Sequence, residues 1–200
     1  MVGPTSRSQS RSVDIAAIEF NTPRLAFRAW QYRHRTPFAA MNADPEVMRY
    51  FPALLSADQT NAGVDIWCQQ FAEKGWSNWA VELQDTGEFI GFIGLSVPRR
   101  RLPFGPCVEI GWRLKRSAWG HGYATEGAKA CLQVGFDQLG LEEIVSFTAL
   151  KNLPSIAVMK RVGMSNAHAD FEHPAVPAES SLRPHCLYKI TRAQWKRRDV

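Results

Sequence analysis

The stretch that decides the fold runs from Val108 to Lys129, V-E-I-G-W-R-L-K-R-S-A-W-G-H-G-Y-A-T-E-G-A-K. Val108 to Leu114 sets aliphatic and aromatic residues among charged ones and predicts a strand. Ser117-Ala-Trp-Gly-His-Gly122 follows, a short turn with two glycines one residue apart. From Tyr123 onward, Ala124, Ala128, Cys131, Leu132, Gly135, Phe136 and Leu139 recur at helical spacing, which predicts a long helix with one apolar face. Strand, glycine turn and helix together aim free backbone N–H groups at an anion. The unpaired donors and partial positive charge of a helix N-terminus suit phosphate, and glycine lets a ligand approach the backbone. The turn is not a Walker loop, because no Gly-Lys-Ser/Thr closes it. Nor is it a dinucleotide fingerprint: the third glycine is missing and three predicted strands precede it. By itself a Gly-x-Gly before a helix fits a plain turn as well as a phosphate site.

Upstream, Thr22 to Trp30 alternates apolar and basic residues and predicts the first strand. Pro37 to Met41 suits a helix start, and Asp44-Pro45 suits a second short helix with Asp as N-cap and Pro in its first turn. Ser56-Ala-Asp-Gln59 is a capping box for a longer helix that Gly75 ends after Lys74. Asn78–Leu83 and Glu88–Leu95 read as strands joined by the hairpin turn Gln84–Gly87. Downstream, Glu143–Ala149 is a β-branched and aromatic strand, and Ser155–Arg161 a short helix stopped by Gly163. His185–Ile190 is a last strand, and Thr191 with Gln194 forms a capping box for a basic terminal helix. This order predicts a mixed α/β domain, with strands 108–114 and 143–149 parallel through a right-handed crossover.

Length and composition fit one domain spanning 18–200 behind a disordered tail at 1–17: 200 residues, 45% hydrophobic, suffice for a full core. No apolar run approaches a membrane span, and the Ser- and Arg-rich N-terminus has no apolar secretory core. Cys68, Cys107, Cys131 and Cys186 are scattered without a C-x-x-C pair, which suits reduced thiols in the cytoplasm. The net charge of +5 sits at the ends, in Arg7, Arg11, Lys189, Arg192, Lys196, Arg197 and Arg198, so no basic groove for nucleic acid runs through the domain.

Three ordered motifs carry a resemblance. Glu109-Ile-Gly-Trp112, Trp119-Gly-His-Gly-Tyr-Ala-Thr-Glu126, and Asn152-Leu-Pro-Ser155 with Lys160-Arg-Val-Gly-Met164 resemble the GCN5-related N-acetyltransferase (GNAT) superfamily. Within it they are most similar to the ribosomal-protein N-terminal acetyltransferases, over roughly Thr22 to Thr191. The resemblance implies the GNAT fold, a mixed sheet of about six or seven strands flanked by helices, with the two parallel strands splayed around pantetheine. It implies acetyl transfer from acetyl-CoA to a primary amine, on a protein N-terminus or a small molecule, in a ternary complex without metal. The expected partners are acetyl-CoA and the acceptor, with the chain a monomer or homodimer.

Residue by residue, the resemblance assigns the diphosphate to the backbone of Trp119, Gly120, His121, Gly122, Tyr123 and Ala124. His121 either contacts a phosphate or faces solvent. Gly111, Trp112 and Leu114 are expected along the cofactor, with amides near Gly111 and Trp112 as oxyanion donors. The alternative for Gly111 is an ordinary strand glycine. An amine with a pKa near ~10.4 must lose a proton before attack. Glu109, on the same strand face as Gly111, is the candidate base or a structural hydrogen-bond partner. Glu126 in the first helical turn suits the helix dipole. Asn152 would bond the pantetheine arm, and Ser155 would protonate the leaving thiolate or merely cap its helix. Two departures stand out: Ser117 where the family usually has Arg or Gln, and Met159 where many members have Tyr. They motivate a rival reading, an acyl-CoA-binding regulatory domain without turnover. Arg99, Arg100 and Arg101 favour an acidic acceptor, the CoA phosphates, or simply solvent, while His173 and His185 lack a third metal ligand.

Overall fold

Residues 15–99 and 101–197 are described by a computed structural model of the chain, so residues 1–14 of the tail expected at 1–17 lie outside the described residues. Ile15 and Ala16, assigned to that tail by composition, lie against Gly75, whose amide segment pairs with Ile18 (Ile18 N to Gly75 O, 2.7 Å).

Among the described residues, nine strands make one sheet: β1 (Phe20–Asn21), β2 (Leu25–Arg28), β3 (Asn78–Leu83), β4 (Phe89–Ser96), β5 (Glu109–Leu114), β6 (Glu143–Ala149), β7 (Ser165–Asn166), β8 (Phe171–Glu172) and β9 (Pro184–Thr191). Their spatial order is β1-β2-β3-β4-β5-β6-β9-β7, with β8 also paired to β9. The count exceeds the expected six or seven because β1, β7 and β8 are two-residue ladders. Each exists only through its neighbour's free edge. Every pairing is antiparallel except β5 with β6.

The α-helices of the described residues are α1 (Tyr32–Asn42), α2 (Ala57–Lys74), α3 (Tyr123–Gln133), α4 (Leu153–Arg161) and α5 (Arg192–Lys196). Helix α1 starts five residues before Pro37, because the His34 ring accepts the Gln31 N–H at 3.1 Å and so closes its first turn. His34 then reaches Glu82 through its other ring nitrogen at 2.9 Å. The helix expected at Asp44-Pro45 does not form. Met48 N closes one turn on Asp44 O at 3.0 Å, and the chain then bends through 51–53 toward Asn42. The capping boxes at Ser56–Gln59 and Thr191–Gln194 are both present. The long helix after the glycine turn ends as α-helix at Gln133 and continues as a π-helical segment, Val134–Gln138.

Helix α3 lies so close to the sheet that a Cβ on Gly127 would sit 2.4 Å from Ile93 Cδ1 and 3.0 Å from Phe27 Cζ. Ile93 is in register with Trp112, and Leu95 with Ile110, so Ile110, Trp112 and Leu114 share the α3 face of β5. Glu109, Gly111 and Arg113 therefore point to the other face. There Phe92, in register with Arg113, packs on Phe38 of α1 and Trp67 of α2, with ring centroids 5.9 and 4.8 Å apart.

Candidate active site

Strands β5 and β6 are in register at one pair, Glu109 with Val145. Beyond it β6 keeps step with β9 along its whole length, and β5 keeps step with β4. The two parallel strands thus part company, and a cleft opens between their C-terminal halves. Ser146 sits at the fork, donating its hydroxyl to the Ile110 carbonyl at 2.9 Å.

Backbone alternation decides which groups of β5 line the cleft. The carbonyls of Val108, Ile110 and Leu114 accept from Val145 N, Ser146 Oγ and Trp119 Nε1, all on the β6 side. Trp112 has the same parity, so its N–H faces the cleft where no β6 residue pairs with it. Gly111 has the opposite parity and stays in register with Gly94 of β4, without a bulge. Of the two expected oxyanion donors, the geometry offers Trp112 and engages Gly111 in the sheet. The carbonyl of Leu114 is occupied by the Trp119 indole at 2.8 Å, which leaves the Leu114 side chain as its contribution.

A single 3₁₀ turn at Arg116–Ala118, containing the exposed Ser117, leads into the glycine turn. Gly120 and Gly122 both have φ of +81°, a left-handed conformation that side chains resist. The first helical bond runs from Glu126 N to Gly122 O at 3.0 Å. The N–H groups from Gly120 through Thr125 have no acceptor among the described residues. They converge at the N-terminus of α3, a donor set that fits a diphosphate. His121 is exposed and stacks on Tyr123 with centroids 5.4 Å apart.

Arg24, which sequence reasoning passed over, holds this turn in place. Its Nη1 donates to the His121 carbonyl at 2.9 Å, and its Nε and Nη2 bond Glu126 at 2.7 and 2.6 Å. Thr22 adds a 2.6 Å bond to the same carboxylate. Burial opposes the charge on Glu126, but the Thr22 and Arg24 hydrogen bonds and the Arg24 charge outweigh it and hold the pKa below the ordinary value. Glu126 is structural. Thr22-Pro-Arg24 carries no sequence signal for this role, since the contact spans 97 residues.

Across the cleft, Asn152 caps α4: its Oδ1 accepts from Ser155 N at 3.3 Å while its Nδ2 donates to Thr148 Oγ1 at 2.9 Å. Asn152, rather than Ser155, is the cap, and its amide is largely committed to the protein. The half-buried Ser155 hydroxyl bonds nothing among the described residues. Met159 is core, 1% exposed.

Glu109 takes a 2.9 Å hydrogen bond from Ser96 Oγ on β4. Burial pushes its pKa above the ordinary carboxylate value, and the Ser96 hydrogen bond pulls partly against that. A carboxyl of raised pKa beside an open cleft is a better proton acceptor than an exposed one. Two further groups stand apart. Arg99 ties its loop to α2 through Gln69 at 3.1 Å, and Arg100 lies outside the described residues. The His173 and His185 rings pack at a tilt with centroids 4.7 Å apart, and Phe171 and Phe147 lie against them. The four cysteines are free thiols, Cys131 and Cys186 buried, and burial pushes Cys107 up to about 11. No helix of the described residues is long and apolar enough to cross a membrane.

Splayed parallel strands with an anion turn at the end of one and a capped helix at the end of the other define an acyl-CoA acyltransferase architecture. The acetyltransferase (GNAT) domain model matches residues 24–165, and the chain belongs to that family. It is an acetyl-CoA-dependent N-acetyltransferase. Among curated proteins it is 36% identical to the uncharacterized protein YkkB of Bacillus subtilis over 146 residues, 72% of this chain and 83% of that one. It is 30% identical to the FsC-acetyl coenzyme A-N(2)-transacetylase of Aspergillus fumigatus over 185 residues, 88% of this chain and 77% of the relative. Two solved structures share the fold. A GNAT-family acetyltransferase from Bacillus anthracis has TM-score 0.72 at 24% identity, covering 88% of this chain and 99% of that one. RimL, a ribosomal L7/L12 alpha-N-protein acetyltransferase in complex with coenzyme A, has TM-score 0.68 at 15% identity, covering 85% and 95%.

Proposed function

We propose that the chain transfers acetyl directly from acetyl-CoA to a primary amine in a ternary complex, with Glu109 as the base and Ser155 as the acid. The observation that carries this reading is the single register pair between β5 and β6, after which the strands part, with Glu109 at that pair and Ser155 in the first turn of the helix that follows β6. The free N–H groups of Gly120 to Thr125 hold the diphosphate. The Trp112 N–H takes up the charge that grows on the thioester oxygen during attack. Glu109, directly or through water, takes the proton the ammonium must lose, and the unpartnered Ser155 hydroxyl gives one to the departing sulfur. Met159, buried in the core, has no proton to give, which leaves that duty to Ser155. The acceptors named for two similar proteins, an N(2) amine and a protein α-amine, both belong to the amine class proposed.

Calorimetric titration with acetyl-CoA, followed by steady-state kinetics, tests the reading. Micromolar binding, roughly 8 kcal/mol, is expected. Ser155→Ala is expected to lower kcat at least tenfold with acetyl-CoA affinity retained. Binding without turnover of any amine in a broad panel would instead favour the regulatory reading that Ser117 and Met159 motivate.

A further inference from the structure

Arg113 shares the outer face of β5 with Glu109 and Gly111, and it lacks the partner that a buried cation needs. Its Nη1 donates to Asn42 Oδ1 at 2.7 Å, and its guanidinium lies 4.0 Å from the Phe51 ring centroid and 5.7 Å from that of Phe92. Its Nε is shut from solvent and bonds to nothing. No carboxylate pairs with it among the described residues, although Arg24, Arg33, Arg35, Arg183 and Arg192 all have one. Burial pushes Arg113 down to about 10, so it is still a cation at neutral pH.

Removing a guanidinium from water without a counter-charge is costly, and cation–π contacts return only part of that cost. A neutral side chain would join β5 to α1 without that cost. Asn42 is itself fixed, fully buried, with its Nδ2 on Thr60 Oγ1 at 3.2 Å, so its oxygen is presented rather than wandering. Arg113 as a whole keeps partial exposure, next to the exposed Phe51, so the site opens to solvent.

The spacing along β5 then matters. Gly111 lies midway between Glu109 and Arg113, roughly 6.6 Å from each at about 3.3 Å per residue. A Cβ on Gly111 would meet only the Phe92 ring, at 3.9 Å, so the strand surface between the two charged residues is uncovered.

We propose that Arg113 is a specificity-determining residue that binds a carboxylate carried by the acceptor amine. Resting on the amine-acetylation reading above, this narrows the acceptor to a small molecule of amino-acid type. Its amine lies over Gly111 toward Glu109, and its carboxylate, a few bonds away, reaches Arg113. The planar fork of guanidinium donors suits a carboxylate, and Asn42 holds the Nη1 arm while the Nη2 arm is left for it.

The experiment measures kcat/KM for matched pairs of amines with and without the carboxylate: phenylalanine and phenethylamine, lysine and cadaverine, methionine and 3-(methylthio)propylamine. The wild-type protein is expected to favour the carboxylated member of at least one pair tenfold or more, chiefly through KM. Arg113→Gln, which removes the charge but keeps a polar amide at this position, is expected to bring that ratio near one, and Arg113→Lys to leave it between. Equal use of both members, use of the carboxylate-free members alone, or acetylation of none while acetyl-CoA still binds overturns the proposal. So does an Arg113→Gln protein that slows both members alike while its melting temperature falls, the mark of a purely structural strut. Failure to bind acetyl-CoA at all would instead sink the parent reading, and the calorimetric titration separates the two.

Discussion

At the end of β5 the chain offers an anion a row of backbone N–H groups in an exposed turn, from Gly120 to Thr125. On the outer face of the same strand it offers Glu109 and Arg113, one beneath Ser96 and the other beneath Phe51, both with pKa values moved by burial. The first region offers the anion main-chain donors, and its charged pair, Arg24 with Glu126, holds the turn in place. The second depends on side chains from β4, α1 and the segment after it. A site made of main chain should tolerate changes of side chain, such as Ser117 where the resemblance expects Arg or Gln, so long as the glycine conformations persist. A site made of desolvated charges is altered by each substitution. On the proposed reading, the cofactor side is the general half of the enzyme, and the acceptor side the individual half.

The sharpest break in that contrast is Glu109→Gln. On the side-chain face it is expected to lower kcat about 100-fold or more, the scale of a lost general base, with acetyl-CoA affinity retained. Stability should move the other way. A carboxyl whose folded pKa lies above its unfolded one disfavours the folded state once pH rises through that window. Glutamine removes this penalty, so the melting temperature at neutral pH should not fall. A variant with full kcat removes Glu109 as the base.

Next in size is Gly127→Val, a test of how α3 is seated. Its Cβ would start 2.4 Å from Ile93 Cδ1, with Phe27 also in the way. Overpacking of this kind costs about 2 kcal/mol, or roughly 4–8 °C of melting temperature at this size. Gly120→Ala makes the paired control. Nothing lies within 4 Å of its Cβ, yet φ is +81°, so the strain is conformational, about 1–2 kcal/mol. It should weaken acetyl-CoA binding several-fold by reshaping the turn, whereas Gly127→Val should act first on stability. Equal loss of cofactor affinity in both would mean that the turn is not the separate, backbone-made site described.

The same contrast explains what was legible in the sequence. Gly120 and Gly122 announce themselves because their left-handed backbone restricts the residue type, and Ser56 and Thr191 announce helix starts because a cap is a local bond. The strand expected at 108–114 forms at 109–114, and strand alternation puts Glu109 and Gly111 on one face, as expected. Arg113 has that same parity, but its pairing with Asn42 spans 71 residues and its burial comes from Phe51 and Phe92. Strands β1, β7 and β8 have two residues each, too short for a pattern. Asp44-Pro45 shows the converse: a good local start signal, yet the chain leaves the turn for Asn42 before a helix grows. Local chemistry reads from sequence, whereas long-range desolvation needs the fold.

The smallest expected effect tests that desolvation most directly. Ser96, 5% exposed on β4, donates to Glu109 and is the one hydrogen bond that favours its charged form. Ser96→Ala removes it and leaves the burial, so the Glu109 pKa should rise further above the ordinary value. The base must be unprotonated to act, and the acid-side limb of the pH–rate profile should therefore move to higher pH. The acceptor amine's own titration contributes equally in both proteins, so the difference between the two profiles isolates Glu109. A limb that stays in place would mean that the proton leaves by a route that does not include this carboxylate, whereas a limb that moves down in pH would mean that Ser96 stabilises the neutral carboxyl.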